Sequence, residues 1–157
     1  MQVWQFNQDD GAWTLLTGPL GFDEGAFSID MAGDGQYLSV GVADEEDYAA
    51  IIKLDEQTWE LVTTIRAGDV SDFGPTVSLA RRPDGTLILA VGDSDYDFGS
   101  GRVLLLELVD GANDLEVAGE YIGPEMDDNI GLAVELDASG RTLAFRGTKQ
   151  ILVVELA

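Results

Sequence analysis

The sequence predicts an all-β fold in which about three copies of a four-stranded antiparallel sheet follow one another, as the blades of a β-propeller do. Two observations carry this prediction. First, one pattern of turn and strand recurs, and its turn glycines Gly35, Gly85 and Gly140 lie 50 and 55 residues apart. Second, apolar and polar residues alternate with the period of a β-strand, and no apolar stripe with helical spacing is sustained. A two-sheet sandwich is the alternative, which the repetition of one strand order disfavours.

Each copy contains four strands, which we name A to D. Strand A alternates, as at Phe27, Ile29 and Met31, and an Asp-Gly or Ser-Gly turn leads from it to strand B. These dipeptides suit the positive φ that a tight hairpin requires. Strand C is very apolar, and strand D carries Trp13 and Trp59 at equivalent positions. Packing between blades explains these two tryptophans better than stacking on a ligand does.

The repeat divides one domain, residues 1–157, into four parts. Strands C and D alone are expected at 1–17, a complete blade at 25–65, a second at 74–122, and an incomplete A–B–C blade at 130–156. Because residues 2–6 already alternate like a strand, we expect no signal peptide. Localisation stays open, with an extracellular or surface site as one option. The apolar runs are too short to span a bilayer.

Acidic residues dominate the charge of the chain, with 30 Asp and Glu against 8 Lys and Arg and a net charge of −22. Such an excess repels nucleic acid phosphates and anionic lipid head groups, so we expect neither nucleic acid nor membrane as a partner. Cations, basic proteins and neutral ligands remain. The acids are spread along the whole chain, which favours their interpretation as a solubility device, for example in salty surroundings.

The chain has no cysteine and no histidine. Disulfides, zinc–thiolate sites, thiol nucleophiles and Ser-His pairs are therefore excluded. Neither a phosphate-binding glycine loop nor a dinucleotide fingerprint is present. A pair of carboxylates could support glycoside hydrolysis, but in so acidic a chain such a pair carries little information. We therefore expect a protein that is not an enzyme.

The middle copy resembles the FG-GAP repeats of integrin-α-like propellers. In that family a Phe-Gly pair opens strand A, a glycine ends strand B, and a Gly-Ser-Gly-x-Val stretch opens strand C. Here the matching stretches are Asp-Phe-Gly-Pro-Thr-Val-Ser-Leu at 72–79, Pro-Asp-Gly at 83–85, Leu-Ala-Val-Gly at 89–92 and Gly-Ser-Gly-Arg-Val at 99–103. The third copy has Asn-Ile-Gly at 129–131 instead, and the first has Asp-Glu-Gly at 23–25.

This resemblance implies a propeller that presents binding loops, and it does not imply catalysis. Calcium-binding members of the family carry carboxylates in the A–B turn, as Asp-x-Asp/Asn-x-Asp-Gly. The A–B turns of this chain, at 33–35, 83–85 and 138–140, have too few carboxylates for that site. The family's metal site is therefore not carried over.

Another cation site is a hypothesis at Asp93, Asp95 and Asp97, in the B–C loop of the second complete blade. Alternating carboxylates can converge on Ca²⁺, which takes six to eight oxygen ligands. The corresponding loop of the first blade, 44–47, is acidic without the alternation, and that of the third, 146–149, is short. A solvated acidic loop without a metal is the alternative interpretation.

Three blades do not close a ring, because propellers typically have about four to eight. An unpaired apolar strand at 151–154 would also be an aggregation site. We therefore expect a homodimer in which strand D of one chain, around Trp13, completes the last blade of the other, giving a ring of about six blades. The strand at 3–6 then has no assigned place. A fragment of a longer propeller is the alternative.

The function that the sequence predicts is that of a non-enzymatic binding or interaction module of propeller type. Its loops would contact a protein, a glycan or a cation. Two alternatives remain, namely a structural repeat of a larger surface protein and a carboxylate-based hydrolase of the glycosidase kind.

Overall fold

The computed structural model describes residues 2–17, 25–43, 47–55, 58–66, 73–109 and 114–156. In these ranges the chain forms thirteen β-strands and one short helical turn, so the predicted all-β architecture is confirmed. The strands make antiparallel sheets of two, four, four and three members. Within the same ranges, no helix has the length and apolar character needed to cross a membrane.

The strands of each sheet follow one another in chain order, as the A–B–C–D scheme predicts. An N-terminal hairpin of strands C and D consists of β1 (Val3–Asn7) and β2 (Ala12–Thr17). The first blade contains β3 (Ala26–Met31), β4 (Tyr37–Val42), β5 (Tyr48–Asp55) and β6 (Thr58–Arg66). The second contains β7 (Phe73–Arg81), β8 (Leu87–Asp93), β9 (Arg102–Leu108) and β10 (Glu116–Ile122). The third contains β11 (Ala133–Leu136), β12 (Thr142–Arg146) and β13 (Ile151–Glu155).

The three A–B turns have one design. In each, the predicted glycine has positive φ, at 70° for Gly35, 94° for Gly85 and 64° for Gly140. Each of these glycines also donates its N–H to a backbone carbonyl three residues earlier, at 2.8 to 2.9 Å. A side chain at these φ values would be strained, which explains why glycine recurs there.

The hydrophobic core lies between neighbouring blades. Strand β8 shows this best, because every one of its residues is buried. Leu87, Leu89 and Val91 belong to the cluster shared with the first blade, and Ile88 and Ala90 to the cluster shared with the third. Its near-continuous apolar sequence is therefore the consequence of having a sheet on both faces.

Side chains of strand A also hold the backbone of the next strand A. The hydroxyl of Ser28 in β3 accepts a hydrogen bond from the N–H of Val77 in β7 at 3.0 Å. The hydroxyl of Thr76 in β7 donates to the carbonyl of Gly131, just before β11, at 2.7 Å. Successive blades are thus joined by polar contacts at their A strands as well as by apolar packing.

The two tryptophans of strand D have different surroundings, which corrects the expectation that both pack between blades. Trp59 is 6% exposed and belongs to an apolar cluster with Leu38 and Ile52 of strands B and C. Trp13 is 64% exposed, and its ring contacts Phe6 at 5.0 Å between centroids. The difference arises because the sheet that holds Trp13 consists of β1 and β2 alone, without strand B.

Candidate functional site

Three loops meet at one end of the blades, where the B–C and D–A connections of an antiparallel A–B–C–D sheet must lie. They are residues 94–101, 123–131 and 147–150, and we call them together the loop face. Asn129 joins the first two loops, because its backbone N–H donates to the carbonyl of Gly99 at 2.8 Å and its side-chain amide donates to that of Ser94 at 3.2 Å. The backbone N–H of Thr148 donates to the carbonyl of Asp128 at 2.8 Å, which adds the third.

Backbone strain is concentrated in these loops. The described residues contain four non-glycine positions with positive φ, and all four lie on the loop face: Asp97 (47°), Phe98 (58°), Asp127 (61°) and Asn129 (47°). Asp and Asn tolerate this conformation, whereas a bulky residue such as Phe98 adopts it at a cost. Such strain persists only where surrounding contacts impose it, and it is common at functional sites.

Close backbone packing imposes the loop conformation. Gly101, with φ of 76°, forms an isolated parallel bridge with Ile130. A side chain at Gly123 would overlap the backbone of Ser100, so the second and first loops touch through their main chains. Ser100 is itself buried and donates its hydroxyl to the carbonyl of Tyr96 at 3.0 Å. The loops are consequently held in one arrangement.

A buried ion pair lies beneath the first loop. The carboxylate of Asp93 is fully buried and accepts hydrogen bonds from Nη2 of Arg102 at 2.7 Å and from its Nε at 3.1 Å. The guanidinium of Arg102 also lies 3.9 Å from the ring centroid of Tyr96 and 3.4 Å from Oε1 of Glu120. Burial raises the pKa of Asp93 above its ordinary value, and the hydrogen bond from Arg102 opposes that rise. This pair fixes the base of the loop.

The structure does not gather the three carboxylates for which calcium binding was predicted. Asp93 is buried against Arg102, whereas Asp95 and Asp97 are exposed. Residues 96–99 form a helical turn, α1 (Tyr96–Gly99), so the extended alternation on which the prediction rested is interrupted. Throughout the described part of the chain, no three Asp, Glu, His or Cys side chains are placed to hold a metal ion. The calcium hypothesis has no support from this geometry and stays a prediction.

Several acidic residues of the predicted loops and repeats are not described by the structure. Asp44, Glu45 and Glu46 of the first B–C loop fall outside the described residues, as do Asp23, Glu24 and Asp72 of the FG-GAP-like stretches. The expectations for these residues therefore stay predictions from the sequence.

A lysine ties the third loop to the second, which the sequence did not indicate. Nζ of Lys149 lies 3.0 Å from Oδ1 of Asp128, whose side chain is almost fully buried, and 3.3 Å from the carbonyl of Met126. The hydrogen bond from Lys149 to Asp128 raises the pKa of the lysine. Asp128 also accepts the N–H of Glu125 at 3.0 Å, so it shapes the second loop from inside.

Two exposed apolar side chains stand on this rigid base. Phe98 is 80% exposed and Met126 is 63% exposed. Their sequence neighbours Gly99 and Asp127 lie against each other, since a Cβ at Gly99 would be 3.7 Å from the backbone nitrogen of Asp127. Four exposed acids flank the pair in sequence, namely Asp95, Asp97, Glu125 and Asp127. Sequence reasoning missed this pair, because only its position in the loops sets it apart from core residues.

The opposite end of the blades carries a different feature. A cavity of about 580 Å³ is bordered by the A–B turns and by Asp34, Arg81 and Arg82. Arg81 pairs with Asp34 at 2.7 Å, and Arg82 pairs with Glu107 at 2.9 Å. Both guanidinium groups thus have carboxylate partners, which makes this cavity a weaker candidate for ligand binding than the loop face.

No protein-family model matches the sequence, and no curated protein matches it either. Solved structures do match. The chain aligns over 98% of its length with a periplasmic gluconolactonase from Pseudomonas aeruginosa, with 16% identity and a TM-score of 0.62. It aligns over 99% with the C-terminal WD40 domain of Sif2, with 16% identity and a TM-score of 0.58. A prolyl endopeptidase matches over 95% of the chain, with 16% identity and a TM-score of 0.51.

At these identities the likeness shows the fold alone, and that fold is a β-propeller. The predicted fold class is thereby confirmed. The chain spans 45% of the length of each of the first two proteins and 25% of the third.

Proposed function

We propose that this chain is a non-enzymatic β-propeller module that binds a protein partner through the loop face. The observation that carries the proposal is the pair Phe98 and Met126, two strongly exposed apolar side chains on loops that are locked to each other. Exposed apolar groups with a polar surround are typical of interaction sites. The sequence's resemblance to FG-GAP repeats gives the same expectation of binding loops.

The rigidity of the loops supports recognition rather than passive exposure. The Asn129 hydrogen bonds, the Gly101–Ile130 bridge and the Asp93–Arg102 pair hold the backbone before any partner arrives. A preorganised site loses less conformational entropy on binding, so more of the contact energy appears as affinity. The strained φ of Phe98 fits this view, because strain is retained where it positions a contact residue.

The charge of the site defines the partner's chemistry. Asp95, Asp97, Glu125 and Asp127 are exposed and flank the apolar pair in sequence. A complementary partner would present an apolar side chain flanked by lysine or arginine. The net charge of −22 would speed the encounter with such a partner at low salt.

A carboxylate-based hydrolase is the alternative with the least support. A glycosidase acid needs a raised pKa together with access to the substrate. Asp93 has a raised pKa, but its side chain is fully buried and paired with Arg102. The likeness to a gluconolactonase concerns the fold, so it adds no catalytic residue.

Binding to synthetic peptide arrays tests the proposal. We expect the chain to bind peptides that combine Lys or Arg with Phe or Leu, and to ignore acidic or purely polar peptides. A Phe98→Ala, Met126→Ala double variant should lose about tenfold or more in affinity, as central contact residues do. The matched control is Leu61→Ala, Val117→Ala, since these side chains are 58% and 63% exposed but lie on D strands.

Three results would contradict the proposal. One is the absence of binding to any peptide of the array. Another is an equal loss of affinity in the two double variants. The third is binding to immobilised glycans that the Phe98 and Met126 substitutions leave unchanged, which would identify a glycan partner instead.

A further inference from the structure

The sheet of the third blade has three strands in the described part of the chain, one fewer than each four-stranded blade. Its sheet has the order β11–β12–β13, so the outer edge of β13 is unpaired in the described part of the chain. In the first blade, the equivalent edge of β5 pairs with strand D, and Trp59 of that strand lies opposite Leu54. Unpaired apolar edges are sites where another strand adds.

An apolar cavity lies where a tryptophan of a fourth strand would pack. In the first blade Trp59 clusters with Leu38 and Ile52, which pair with each other across β4 and β5. Leu143 and Val154 form the equivalent pair across β12 and β13. These two residues line a cavity of about 200 Å³, together with Phe145 and Leu156 from their own blade and Val103, Leu105 and Tyr121 from the second.

The size and lining of this cavity suit an aromatic side chain. A cavity of about 150 Å³ lined by apolar groups accepts benzene, so the space here is of the right order for an aromatic ring. Leu156 takes the position of Leu54. Leu54 lies two residues after Ile52 in the first blade, and Leu156 lies two residues after Val154 in the third. The third blade therefore presents the surroundings of Trp59 without the tryptophan.

We propose that a second copy of this chain fills the cavity with Trp13, by pairing its β2 with the free edge of β13. Trp13 occupies the strand D position of Trp59, and it is 64% exposed in its own chain. In this exchange β2 leaves β1 of its own chain and pairs with β13 of the other copy, which is more apolar than β1. Strand β1 is then released. Repeating the contact in the other direction closes a ring and leaves neither β13 edge free.

The chain's own strand D favours a second copy as the occupant. Trp13 of β2 lies opposite Phe6, as Trp59 lies opposite Leu54, and Trp13 is 64% exposed. The proposal goes beyond the partner-binding role and does not rest on the loop face. The charge of −22 per copy opposes association, so salt should strengthen it.

Sedimentation equilibrium across chain concentrations, at low and moderate NaCl, tests the proposal. We expect a dimer whose dissociation constant falls as salt rises. Trp13→Ala should weaken it by about tenfold or more. The control Trp4→Ala removes a tryptophan that is 49% exposed on β1, the strand to be released, and should leave the dimer intact or strengthen it.

A second variant blocks the cavity from the other side. Gly119 lines it, and a Cβ there would meet only Leu105 at an ordinary 3.9 Å. Gly119→Leu should therefore keep the thermal stability of the monomer while preventing the dimer. The Phe98→Ala, Met126→Ala variant should dimerise like the wild type, so failure of this proposal and failure of the loop-face proposal are distinguishable.

A wild-type chain that stays monomeric over the whole range would overturn the proposal and indicate that another stretch of a longer protein fills the cavity. A dimer that Trp4→Ala weakens as much as Trp13→Ala, or one that survives Gly119→Leu, would overturn it as well, because the contact would then lie elsewhere.

Discussion

Ser78 of the second blade donates its hydroxyl hydrogen to Oδ2 of Asp30 in the first blade at 2.8 Å. The same hydroxyl accepts the backbone N–H of Leu136 in the third blade at 2.9 Å. Oδ2 of Asp30 also accepts the N–H of Leu79 at 2.8 Å. One fully buried serine therefore links the A strands of three consecutive blades, where water cannot replace a lost partner.

Ser78→Ala tests this link. The substitution leaves the N–H of Leu136 without its partner and takes one donor from Asp30, so we expect a loss of about 1–3 kcal/mol in the free energy of unfolding. Denaturant unfolding measures it. The control is Ser39→Ala, because Ser39 is equally buried but makes a longer bond, of 3.3 Å, to the carbonyl of Asp30. A loss no larger than that of the control would contradict the role given to Ser78.

Arg102→Met tests the ion pair under the loop face. Without the guanidinium the buried carboxylate of Asp93 is unpaired, and breaking such a pair costs about 3–5 kcal/mol. The pKa of Asp93, already raised by burial, should rise further in the variant. A carboxyl group whose pKa is higher in the folded than in the unfolded protein stabilises the fold when the pH lies below its unfolded pKa. That stabilisation is lost as the pH rises through its folded pKa. The variant should therefore recover part of its stability as pH falls.

Unfolding by denaturant at pH 7 and pH 5 checks this expectation. Arg146→Met serves as the control, since Arg146 is exposed and its replacement should change stability by less than about 0.5 kcal/mol. An Arg102→Met deficit that is the same at both pH values would argue against a buried, unpaired Asp93.

Asp137→Asn tests the third A–B turn. The carboxylate accepts the hydroxyl of Ser139 at 2.6 Å and the N–H groups of Thr142 and Arg141 at 2.7 and 2.8 Å. These hydrogen bonds, of which the one from Ser139 has the largest effect, lower the pKa of Asp137 from its ordinary 3.8 to about 2. A carboxyl group with a lowered folded pKa stabilises the fold when the pH lies above its unfolded pKa. That stabilisation is lost as the pH falls through its folded pKa. The variant should be less stable at pH 7, and the difference should shrink between about pH 4 and pH 2.

Thermal unfolding as a function of pH measures the effect. Asp84→Asn is the matched control in the second turn, where the carboxylate of Asp84 accepts the backbone N–H of Thr86 at 3.0 Å. We expect a smaller change there. A larger change in Asp84→Asn than in Asp137→Asn would contradict the account of the turn.

Cation titration separates charge screening from the calcium hypothesis. A chain of net charge −22 repels itself, so NaCl should raise the melting temperature. Charge screening alone would make Ca²⁺ and Mg²⁺ act alike at equal ionic strength, and the described residues gather no metal-binding cluster. A stabilisation specific to Ca²⁺ that disappears in Asp95→Ala would instead support the calcium site that the sequence predicts.

The fold could be predicted because its signals are local. Turn dipeptides mark Gly35, Gly85 and Gly140, and alternation marks each strand, so their order along the chain defines the sheets. Trp13 was expected to pack like Trp59, since the two share a local pattern. Their burial differs because it depends on strands that are distant in sequence.

The candidate site was harder to predict for the same reason. Nothing in the local pattern distinguishes Asp93, which is buried against Arg102, from Asp95, which is exposed. Likewise, Phe98 and Met126 are large apolar residues of the kind that fill a core. Only the structure shows that both are exposed and that the loops carrying them meet.

By itself, the sequence determined the all-β class, the repeat, the strand order and the absence of histidine and cysteine chemistry, since composition, hairpin turns and strand periodicity act over a few neighbouring residues. Only the tertiary structure decided which carboxylates are paired and which apolar side chains stay exposed. Those outcomes depend on contacts between residues far apart in the chain, which are settled when the blades pack against one another.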